Sequence, residues 1–299
     1  DISEFALYSV DREIKNICQR QGLRFPVVTL LGSVRDEQRL ESIFRTFSVE
    51  TVYHAAAYKH VPLMEKQPWQ AFETNVLGTQ RALRAAIDAG CERFVMISTD
   101  KAVNPTSVMG CTKRLAELLV LHEGSKSDVR CVITRFGNVL GSNGSVIPLF
   151  KQQIERGGPI TVTDAEVTRY FMTIPEAVSL VLEASAIGEK NNVFVFDMGE
   201  SVRILDLANK MIALAGMEAG RDIEVVITGL RPGEKMHEEL LSQRESLLPT
   251  HHEKIMRAQT PGTLESANMT AIAALAEDQG NHEATRKLLA ELIPEYKGE

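Results

Sequence analysis

The sequence lacks any arrangement of cysteines that would suggest a metal site or a redox pair. Its four cysteines are scattered, with neither a C-x-x-C pair nor the spacing of a zinc site among them. They are Cys18, Cys91, Cys111 and Cys131. Because disulfides are rare in the cytosol, we predict reduced structural cysteines, no bound metal and a cytoplasmic location.

Two further absences narrow the class of protein. The formal net charge of −7 at pH 7 disfavours a nucleic-acid partner, because proteins that bind nucleic acid neutralise phosphates with excess lysine and arginine. No apolar run approaches the about 20 residues that cross a bilayer, and no signal peptide is visible. With 299 residues, 44% of them hydrophobic, we expect a soluble chain of one large or two modest domains.

What the sequence does contain is an alternation of strand-like and helix-like segments. We predict strands at 27–31, 51–56, 94–98, 131–136 and 193–196, and helices at 37–47, 68–89, 108–123 and 175–186. This rhythm is typical of an α/β fold with a doubly wound parallel sheet. After Gly137 the pattern is broken by glycine, serine and proline, with short strands predicted at 160–163 and 223–228 and a helix at 204–215.

These segments suggest two parts and a tail. We assign residues 1–137 and 173–199 to a Rossmann-like nucleotide-binding domain, residues 138–172 and 200–262 to a smaller substrate lobe, and residues 263–299 to a C-terminal helical tail. The cleft between the two parts is the expected site.

The glycine loop of a dinucleotide-binding domain is also absent. Such a domain begins with a strand and a G-x-G-x-x-G turn, whose backbone N–H groups hold the cofactor pyrophosphate. This sequence contains no such motif and opens at Asp1-Ile2-Ser3-Glu4-Phe5. We predict that the loop lies upstream, so that the chain by itself binds a dinucleotide poorly.

The most informative stretch is Ser98-Thr99-Asp100-Lys101. It follows the apolar run 94–97, which predicts a buried parallel strand whose carboxyl end delivers polar side chains into a cleft. Met109 and Lys113 follow one helical turn apart on the next predicted helix. In the short-chain dehydrogenase/reductase superfamily a Tyr-x-x-x-Lys pair carries the proton chemistry here, but a methionine thioether cannot transfer a proton. Asp100 and Lys101 are therefore the candidates to replace the tyrosine.

Five motifs follow one another in a specific order along the chain. They are HAAAYKHVP at 54–62, NVLGT at 75–79, the stretch 98–113, RFGNVLGS at 135–142 and LRPGEK at 230–235. This series resembles the nucleotide-sugar 4,6-dehydratases of bacterial polysaccharide biosynthesis, over residues 1–261. The likeness is greatest to the UDP-N-acetylglucosamine 4,6-dehydratases that carry methionine in place of tyrosine.

The resemblance implies an internal redox elimination on a UDP-sugar. Bound nicotinamide takes a hydride from C4, the ketone acidifies the C5 proton, water is lost from C6, and the hydride returns to C6. No cofactor is consumed. We expect NAD, because Asp1 would repel the 2′-phosphate of NADP, with NADP as the alternative. The methionine branch implies retention of configuration at C5.

The resemblance also gives the catalytic residues roles. Lys101 would be the base at C5, which requires a lowered pKa, and Asp100 the acid for the loss of water. Thr99 would bond the C4 oxygen, and Lys113 would hold the nicotinamide ribose. Met109 either shapes the pocket or fills the core. Either Asp100 through a water, or Thr99, removes the C4 hydroxyl proton.

Further residues are candidates for cofactor binding. Asp1 would grip the adenosine ribose, and Asp36 would meet the adenine amino group or cap the helix that begins there. The small side chains of Ala55, Ala56 and Ala57 would let the cofactor approach closely or allow tight helix packing.

Five other residues are candidates for substrate binding. Lys59 would contact a phosphate or the sugar. Asn138 and Arg231 would bind the UDP pyrophosphate, with Arg231 in a bidentate clamp. Glu234 would accept hydrogen bonds from ribose hydroxyls, and Arg169 would make another contact from the substrate lobe.

Two other functions stay open. A nucleotide-sugar 4-epimerase shares the fold but relies on the missing tyrosine, and a catalytically silent sugar-nucleotide scaffold needs no acid–base pair. Relatives of the methionine branch often carry transmembrane helices ahead of the catalytic part. We therefore expect membrane attachment only through such an N-terminal segment, at the cytoplasmic face of the inner membrane. We also expect a homo-oligomer.

Overall fold

The structure, a computed structural model, describes residues 1–142, 144–259, 264–278 and 280–298. The strands are β1 (Thr51–His54), β2 (Arg93–Ile97), β3 (Arg130–Arg135), β4 (Asn138–Val139), β5 (Ile160–Val162), β6 (Thr168–Arg169), β7 (Phe171–Met172), β8 (Asn192–Phe196), β9 (Val202–Arg203), β10 (Val225–Ile227), β11 (Ser246–Pro249) and β12 (Ile255–Gln259).

The helices alternate with these strands over most of the chain. They are α1 (Glu4–Gln21), α2 (Glu37–Thr46), α3 (Val61–Lys66), α4 (Pro68–Ala71), α5 (Gly78–Asp88), α6 (Val108–Ser125), α7 (Val146–Glu155), α8 (Ile174–Ile187), α9 (Ile204–Leu214), α10 (Ser266–Glu277) and α11 (His282–Leu292). A π-helical segment, Phe72–Leu77, joins α4 to α5, and a 3₁₀ turn covers Asp100–Ala102.

A six-stranded sheet in the order β1-β2-β3-β8-β12-β11 forms the centre of the fold. The first four strands are parallel, and β12 and β11 are antiparallel to their neighbours. The register places Met96 of β2 between His54 of β1 and Ile133 of β3. The predicted α/β class with a parallel-dominated sheet is confirmed.

Helices cover both faces of this sheet, which explains why β2 is apolar on both sides. Phe94 and Met96 pack in one cluster with residues of α5 and α6, including Leu83 and Val120. The alternate residue, Val95, packs on the opposite face in a cluster that includes residues of α8. The polar residues that follow the carboxyl end of β2 are therefore anchored to a buried strand.

The smaller lobe is built from short strands and two helices. Strand β10 pairs with β5, and β6 pairs with β9, while α7 and α9 pack together over a core that includes Phe150, Ile160 and Ile212. Strand β4 pairs with β7 and leads the chain from the end of β3 into this lobe.

Two sequence predictions about the sheet are wrong. Residues 27–31 form no strand, because their backbone has no neighbouring strand to pair with among the described residues. Instead the Asp1 ammonium donates to the Leu30 carbonyl, and Gly32 N–H donates to the Asp1 carbonyl. The assignment of residues 200–262 to the substrate lobe fails for β11 and β12, which extend the central sheet beside β8. Residues 260–263, where lobe and tail were divided, lie outside the described residues.

The two helices expected in the tail are present as α10 and α11. They bury Leu275 and Leu289 in one cluster with Trp69 of α4 and Leu115 of α6. Lys297 N–H also donates to the Pro105 carbonyl, just ahead of α6. The tail therefore packs against the helix that carries Met109 and Lys113. Among the residues described here, no helix is both long and apolar enough to cross a membrane.

Candidate active site

A cavity of about 510 Å³ opens where the carboxyl ends of the central strands meet the smaller lobe. Its wall combines the loop after β1, the segment after β2, the start of α6 and the loop after β3. The lobe closes the other side with residues of β6 and of the loop 231–238. This is the place predicted for a ligand in an open α/β sheet.

Thr99, Asp100 and Lys101 form a hydrogen-bonded turn at the end of β2. Thr99 Oγ1 lies 3.4 Å from the Lys101 N–H, which it caps, and donates to Asp100 Oδ1 over 2.9 Å. Asp100 is fully buried and lies behind the cavity wall, whereas Thr99 and Lys101 line it. Asp100 Oδ2 finds no hydrogen-bond partner in the described part of the chain. Asp100 therefore reaches the cavity only through its two neighbours.

The Lys101 ammonium lies among three acceptors. Its Nζ is 3.0 Å from Asp100 Oδ1, 3.2 Å from Asn138 Oδ1 and 3.4 Å from Glu238 Oε1. Burial alone lowers the pKa of Lys101, but attraction to Asp100 and Glu238 outweighs it and raises the pKa above its ordinary value. The lowered pKa predicted for a base at C5 is therefore wrong for this state, in which Lys101 is a cation.

Met109 and Lys113 lie on α6, which begins where Ser107 Oγ accepts from the Gly110 N–H over 3.1 Å. Both side chains are buried and line the cavity. Lys113 Nζ donates to the Ile97 carbonyl over 2.7 Å. Burial lowers the pKa of Lys113 to about 8. Met109 also belongs to the core cluster beneath, so it both shapes the pocket and fills the core.

A glycine brings α6 close to the turn after β2. A β-carbon on Gly110 would overlap the backbone carbonyl oxygen of Lys101 and would lie 3.3 Å from Cβ of Pro105. Because backbone cannot move aside as a flexible side chain does, only glycine permits this approach.

The loop after β1 is held by the π-helical segment. Asn75 Oδ1 accepts from the Tyr58 N–H over 2.8 Å, and Asn75 Nδ2 donates to the Tyr58 carbonyl over 3.0 Å and to Thr112 Oγ1 over 3.0 Å. A π-helical bulge of this kind is frequent at functional sites. It ties the loop with Ala55, Ala57 and Lys59, all lining the cavity, to α6.

The structure separates the predicted cofactor residues into two groups. Ala55 and Ala57 line the cavity, but Ala56 does not. Asp36 lies outside the cavity and caps α2 by accepting from the Arg39 N–H over 3.0 Å. Asp1 also lies outside it, where Oδ1 accepts from the Ser3 N–H over 2.7 Å. Asp36 thus fills the helix-capping role that the sequence analysis left open.

All five predicted substrate residues line the same cavity. They are Lys59, Asn138, Arg169, Arg231 and Glu234. Arg169 is buried and donates to Glu234 Oε1 over 2.9 Å. Asn138 Oδ1 accepts a hydrogen bond from Lys101 Nζ over 3.2 Å. Burial lowers the pKa of Lys59 below its ordinary value.

The sequence analysis missed two residues of the site. Glu238 is buried against Lys101, and Lys235 Nζ donates to the Val103 carbonyl over 2.8 Å. Both belong to the segment that begins with the LRPGEK motif. The signal was the adjacent pair Glu238 and Glu239, but only the fold distinguishes the buried glutamate from the exposed one.

The chain has relatives in polysaccharide biosynthesis. A sequence profile for a family described as "Polysaccharide biosynthesis protein" matches residues 1–260. Capsular polysaccharide biosynthesis protein CapD of Staphylococcus aureus is 46% identical over 288 residues, which cover 96% of this chain and 47% of CapD. Probable polysaccharide biosynthesis protein EpsC of Bacillus subtilis is 48% identical over 242 residues, 81% of this chain and 40% of EpsC. The chain therefore spans about half or less of these relatives' length.

A third relative and two solved structures extend the comparison. UDP-glucose 4-epimerase of Rickettsia canadensis is 37% identical over 249 residues, 82% of this chain and 71% of the epimerase. Pen from Bacillus thuringiensis superposes with a TM-score of 0.75 at 33% identity, covering 87% of this chain and 80% of Pen. DesIV, a dTDP-glucose 4,6-dehydratase from Streptomyces venezuelae solved with NAD, gives a TM-score of 0.65 at 21% identity over 91% of this chain and 83% of DesIV. At that identity, DesIV supports the fold alone.

Proposed function

The chain belongs to the polysaccharide biosynthesis protein family, and from that premise we propose that it is the catalytic part of a UDP-N-acetylglucosamine 4,6-dehydratase. The observation that carries the proposal is the contact between Asp100 and Lys101 at the cavity wall, with Met109 where a catalytic tyrosine is expected. Loss of water from the sugar requires both a base and an acid. This pair supplies both.

The side chains around the cavity fit a nicotinamide cofactor. Lys113 presents a buried ammonium in the same cavity that Thr99 lines, and the small side chains of Ala55 and Ala57 leave room for a planar ring. Bound NAD would supply the hydride acceptor and return the hydride later. The pyrophosphate of a dinucleotide is typically held by a G-x-G-x-x-G turn, and the sequence contains no such motif. NADP is the alternative cofactor.

The proton of the C4 hydroxyl has a route through the described residues. Thr99 Oγ1 lines the cavity and already donates to Asp100 Oδ1 over 2.9 Å. A sugar hydroxyl bonded to Thr99 passes its proton to Thr99 while Thr99 passes its own proton to Asp100. This route needs no tyrosine, so it is compatible with Met109 at the position where the tyrosine is expected.

The C5 proton needs a neutral amine. With Asp100 already holding the proton from the C4 hydroxyl, Lys101 becomes one by releasing its proton to solvent through the cavity that its side chain lines. Asp100 then gives the C4 proton to the departing C6 hydroxyl through Thr99, and Lys101 returns the C5 proton to C5 before it recovers its own proton from solvent. The pair therefore acts as a single acid–base unit.

A mass measurement tests this proposal. The protein is loaded with NAD and incubated with UDP-N-acetylglucosamine, and we expect a product lighter by one water. Proton NMR should show the C5-retained sugar. Lys101→Met is the matched control and should leave the substrate unchanged. Unchanged substrate with the wild-type chain and bound cofactor would contradict the proposal.

A UDP-sugar 4-epimerase is the second candidate, favoured by the 37% identity to the Rickettsia canadensis epimerase. Epimerisation needs a C4 proton acceptor and a hydride acceptor, but it needs no base at C5. The same incubation separates the two functions, because an epimerase gives a C4 epimer of unchanged mass. Such a product, insensitive to Lys101→Met, would establish the epimerase.

A further inference from the structure

Glu238 is a buried carboxylate that none of the predicted roles uses. Its side chain is only 3% exposed, yet Glu238 lines the cavity. Oε1 lies 3.4 Å from Lys101 Nζ and 3.8 Å from Arg169 Nε. Oε2 is buried without a hydrogen-bond partner in the described ranges. A buried charge with half of its acceptors unused is costly, so its position calls for a functional reason.

Lys101 is the group that Glu238 controls most directly. The charged groups that face the Lys101 ammonium are Asp100 from its own turn and, from the smaller lobe, Glu238, Arg169 and Lys235. Asp100 and Glu238 attract the ammonium, whereas Arg169 and Lys235 repel it. Two carboxylates from two different parts of the fold therefore pair with one cation.

Resting on the proposed dehydratase function, we propose that Glu238 is a positioning residue that holds Lys101 against Asp100 across the cavity wall and determines when Lys101 gives up its proton. Glu238 acts through Lys101 and touches none of the reacting atoms. Because Lys101 must become neutral before it can act at C5, the second carboxylate keeps it charged in the free enzyme.

The connection to substrate runs through Arg169. Its guanidinium donates to Glu234 over 2.9 Å and lies 3.8 Å from Glu238. Glu234 is the residue expected to bind a ribose hydroxyl of UDP. When Glu234 turns to the ribose, Arg169 is free to pair with Glu238 instead. That exchange weakens the hold of Glu238 on Lys101 at the moment when substrate is present.

Competitive acetylation tests the proposal without turnover. The chain is labelled with trace acetic anhydride across a pH series, and mass spectrometry of the peptide that contains Lys101 gives the pH of half-maximal reactivity. We expect Glu238→Gln to move this pH down by about one unit, which makes Lys101 about tenfold more reactive near pH 8. Glu239→Gln, an isosteric change at the exposed neighbour, should leave it in place.

The design separates electrostatics from damage to the fold. A loosened cavity would raise the reactivity of Lys101 at every pH without moving the midpoint, and circular dichroism monitors folding. If Glu238→Gln fails to fold, Glu238→Asp keeps the charge but withdraws it from Lys101, and it should move the midpoint in the same direction. A midpoint unchanged in a folded Glu238 variant overturns the proposal.

Kinetics with the active enzyme give the second reading. In a plot of kcat against pH, the limb that reports loss of the Lys101 proton should move to lower pH with Glu238→Gln. KM should change little. A limb that stays in place while the labelling midpoint moves also overturns the proposal. Absence of any dehydratase activity would remove the proposed function but not the labelling result, so the two failures are distinguishable.

Discussion

Lys113 and Ile97 are joined across the cavity wall by a 2.7 Å hydrogen bond from the lysine Nζ to the backbone carbonyl. The bond holds an ammonium in a place almost closed to solvent, and burial lowers the pKa of Lys113 to about 8 from 10.5. A lowered pKa means that the charged form of this lysine is less favourable, relative to the neutral form, in the folded protein than in the unfolded chain. The site therefore keeps a destabilising cation.

We predict that Lys113→Met stabilises the fold near pH 7 and abolishes activity. Between pH 8 and 10.5 the unfolded chain binds more protons at Lys113 than the folded chain does, so wild-type stability rises with pH through this window. The variant has no such proton, and its advantage of about 1 to 2 kcal/mol at pH 7 should fade by pH 10. Urea unfolding at both pH values measures the difference.

Lys151→Met is the matched control for this experiment. Lys151 is exposed at the surface of α7, so its replacement should change the free energy of unfolding by less than about 0.5 kcal/mol at either pH. An advantage of Lys113→Met that stays constant from pH 7 to pH 10 would contradict the assignment.

A buried ionic network supports the site from below. Glu117 is fully buried and accepts from Arg135 Nη2 over 2.6 Å, from Arg114 Nη1 over 3.2 Å and from Ser98 Oγ over 2.6 Å. Burial alone raises the pKa of Glu117, but Arg135 and Arg114 outweigh it and lower the pKa to about 2. Ser98 directly precedes Thr99, so this network fixes the start of the catalytic turn.

We predict that Glu117→Gln destabilises the fold by about 3 to 5 kcal/mol, because it leaves the buried Arg135 charge without its main partner. In the wild type, the stability from Glu117 is present above pH 4.5 and is lost as the pH falls toward 2. Thermal unfolding from pH 7 to pH 3 should show this loss in the wild type and a smaller slope in the variant.

The control is a surface ion pair in the same sheet. Glu92 pairs with Arg130 over 3.4 Å, and the Glu92 side chain is 65% exposed. Glu92→Gln should change stability by less than about 1 kcal/mol. Equal effects of Glu92→Gln and Glu117→Gln would show that burial does not govern the strength of these pairs here.

Strands whose side chains are apolar on both faces were predicted correctly from the sequence. The prediction failed where the presence or absence of a neighbouring strand determines the structure. Residues 94–97 and 193–196 are buried runs, and both became central strands. Residues 27–31 are also mainly apolar, but they pair with no strand in the described structure. Strand β12 was missed because Arg257 and Gln259 interrupt its apolar pattern, and only pairing with β8 makes it a strand.

The same contrast, between local spacing and contacts of residues distant in sequence, applies to the site. The motifs brought Thr99, Asp100, Lys101, Met109 and Lys113 to one small region, as local spacing predicts. The sign of the Lys101 pKa shift could not be predicted, because it depends on Glu238, which is distant in sequence and reaches Lys101 only through the fold.

Gly110 supplies a third prediction. Gly110→Ala should force α6 and the Lys101 backbone apart, which costs about 1 to 3 kcal/mol of stability and lowers kcat because Lys101 moves. The matched control is Gly78→Ala, also in a helix, where the added carbon would lie 2.9 Å from a side-chain methyl of Val34 and no closer than 3.6 Å to backbone. Denaturation and kcat are measured for both. A larger kcat loss at Gly78 than at Gly110 would contradict the argument.

The last prediction concerns whether Asp100 and Lys101 are functionally coupled in the reaction. If the pair acts as one acid–base unit, removing either member removes the function of both. Asp100→Asn and Lys101→Met should each lower kcat by about 10² to 10⁴, and the double variant should be hardly slower than the more damaged single one. Asparagine keeps the size of the buried side chain, so circular dichroism should show a folded protein.

A double-mutant cycle on kcat measures this coupling. Independent groups would give losses that multiply, because each would act on its own proton. A coupled pair gives a double variant whose loss falls short of that product by two or more orders of magnitude, about 3 kcal/mol of interaction energy. Multiplying losses would show that Asp100 and Lys101 serve separate steps, and that the 3.0 Å contact between them does not couple their roles in the reaction.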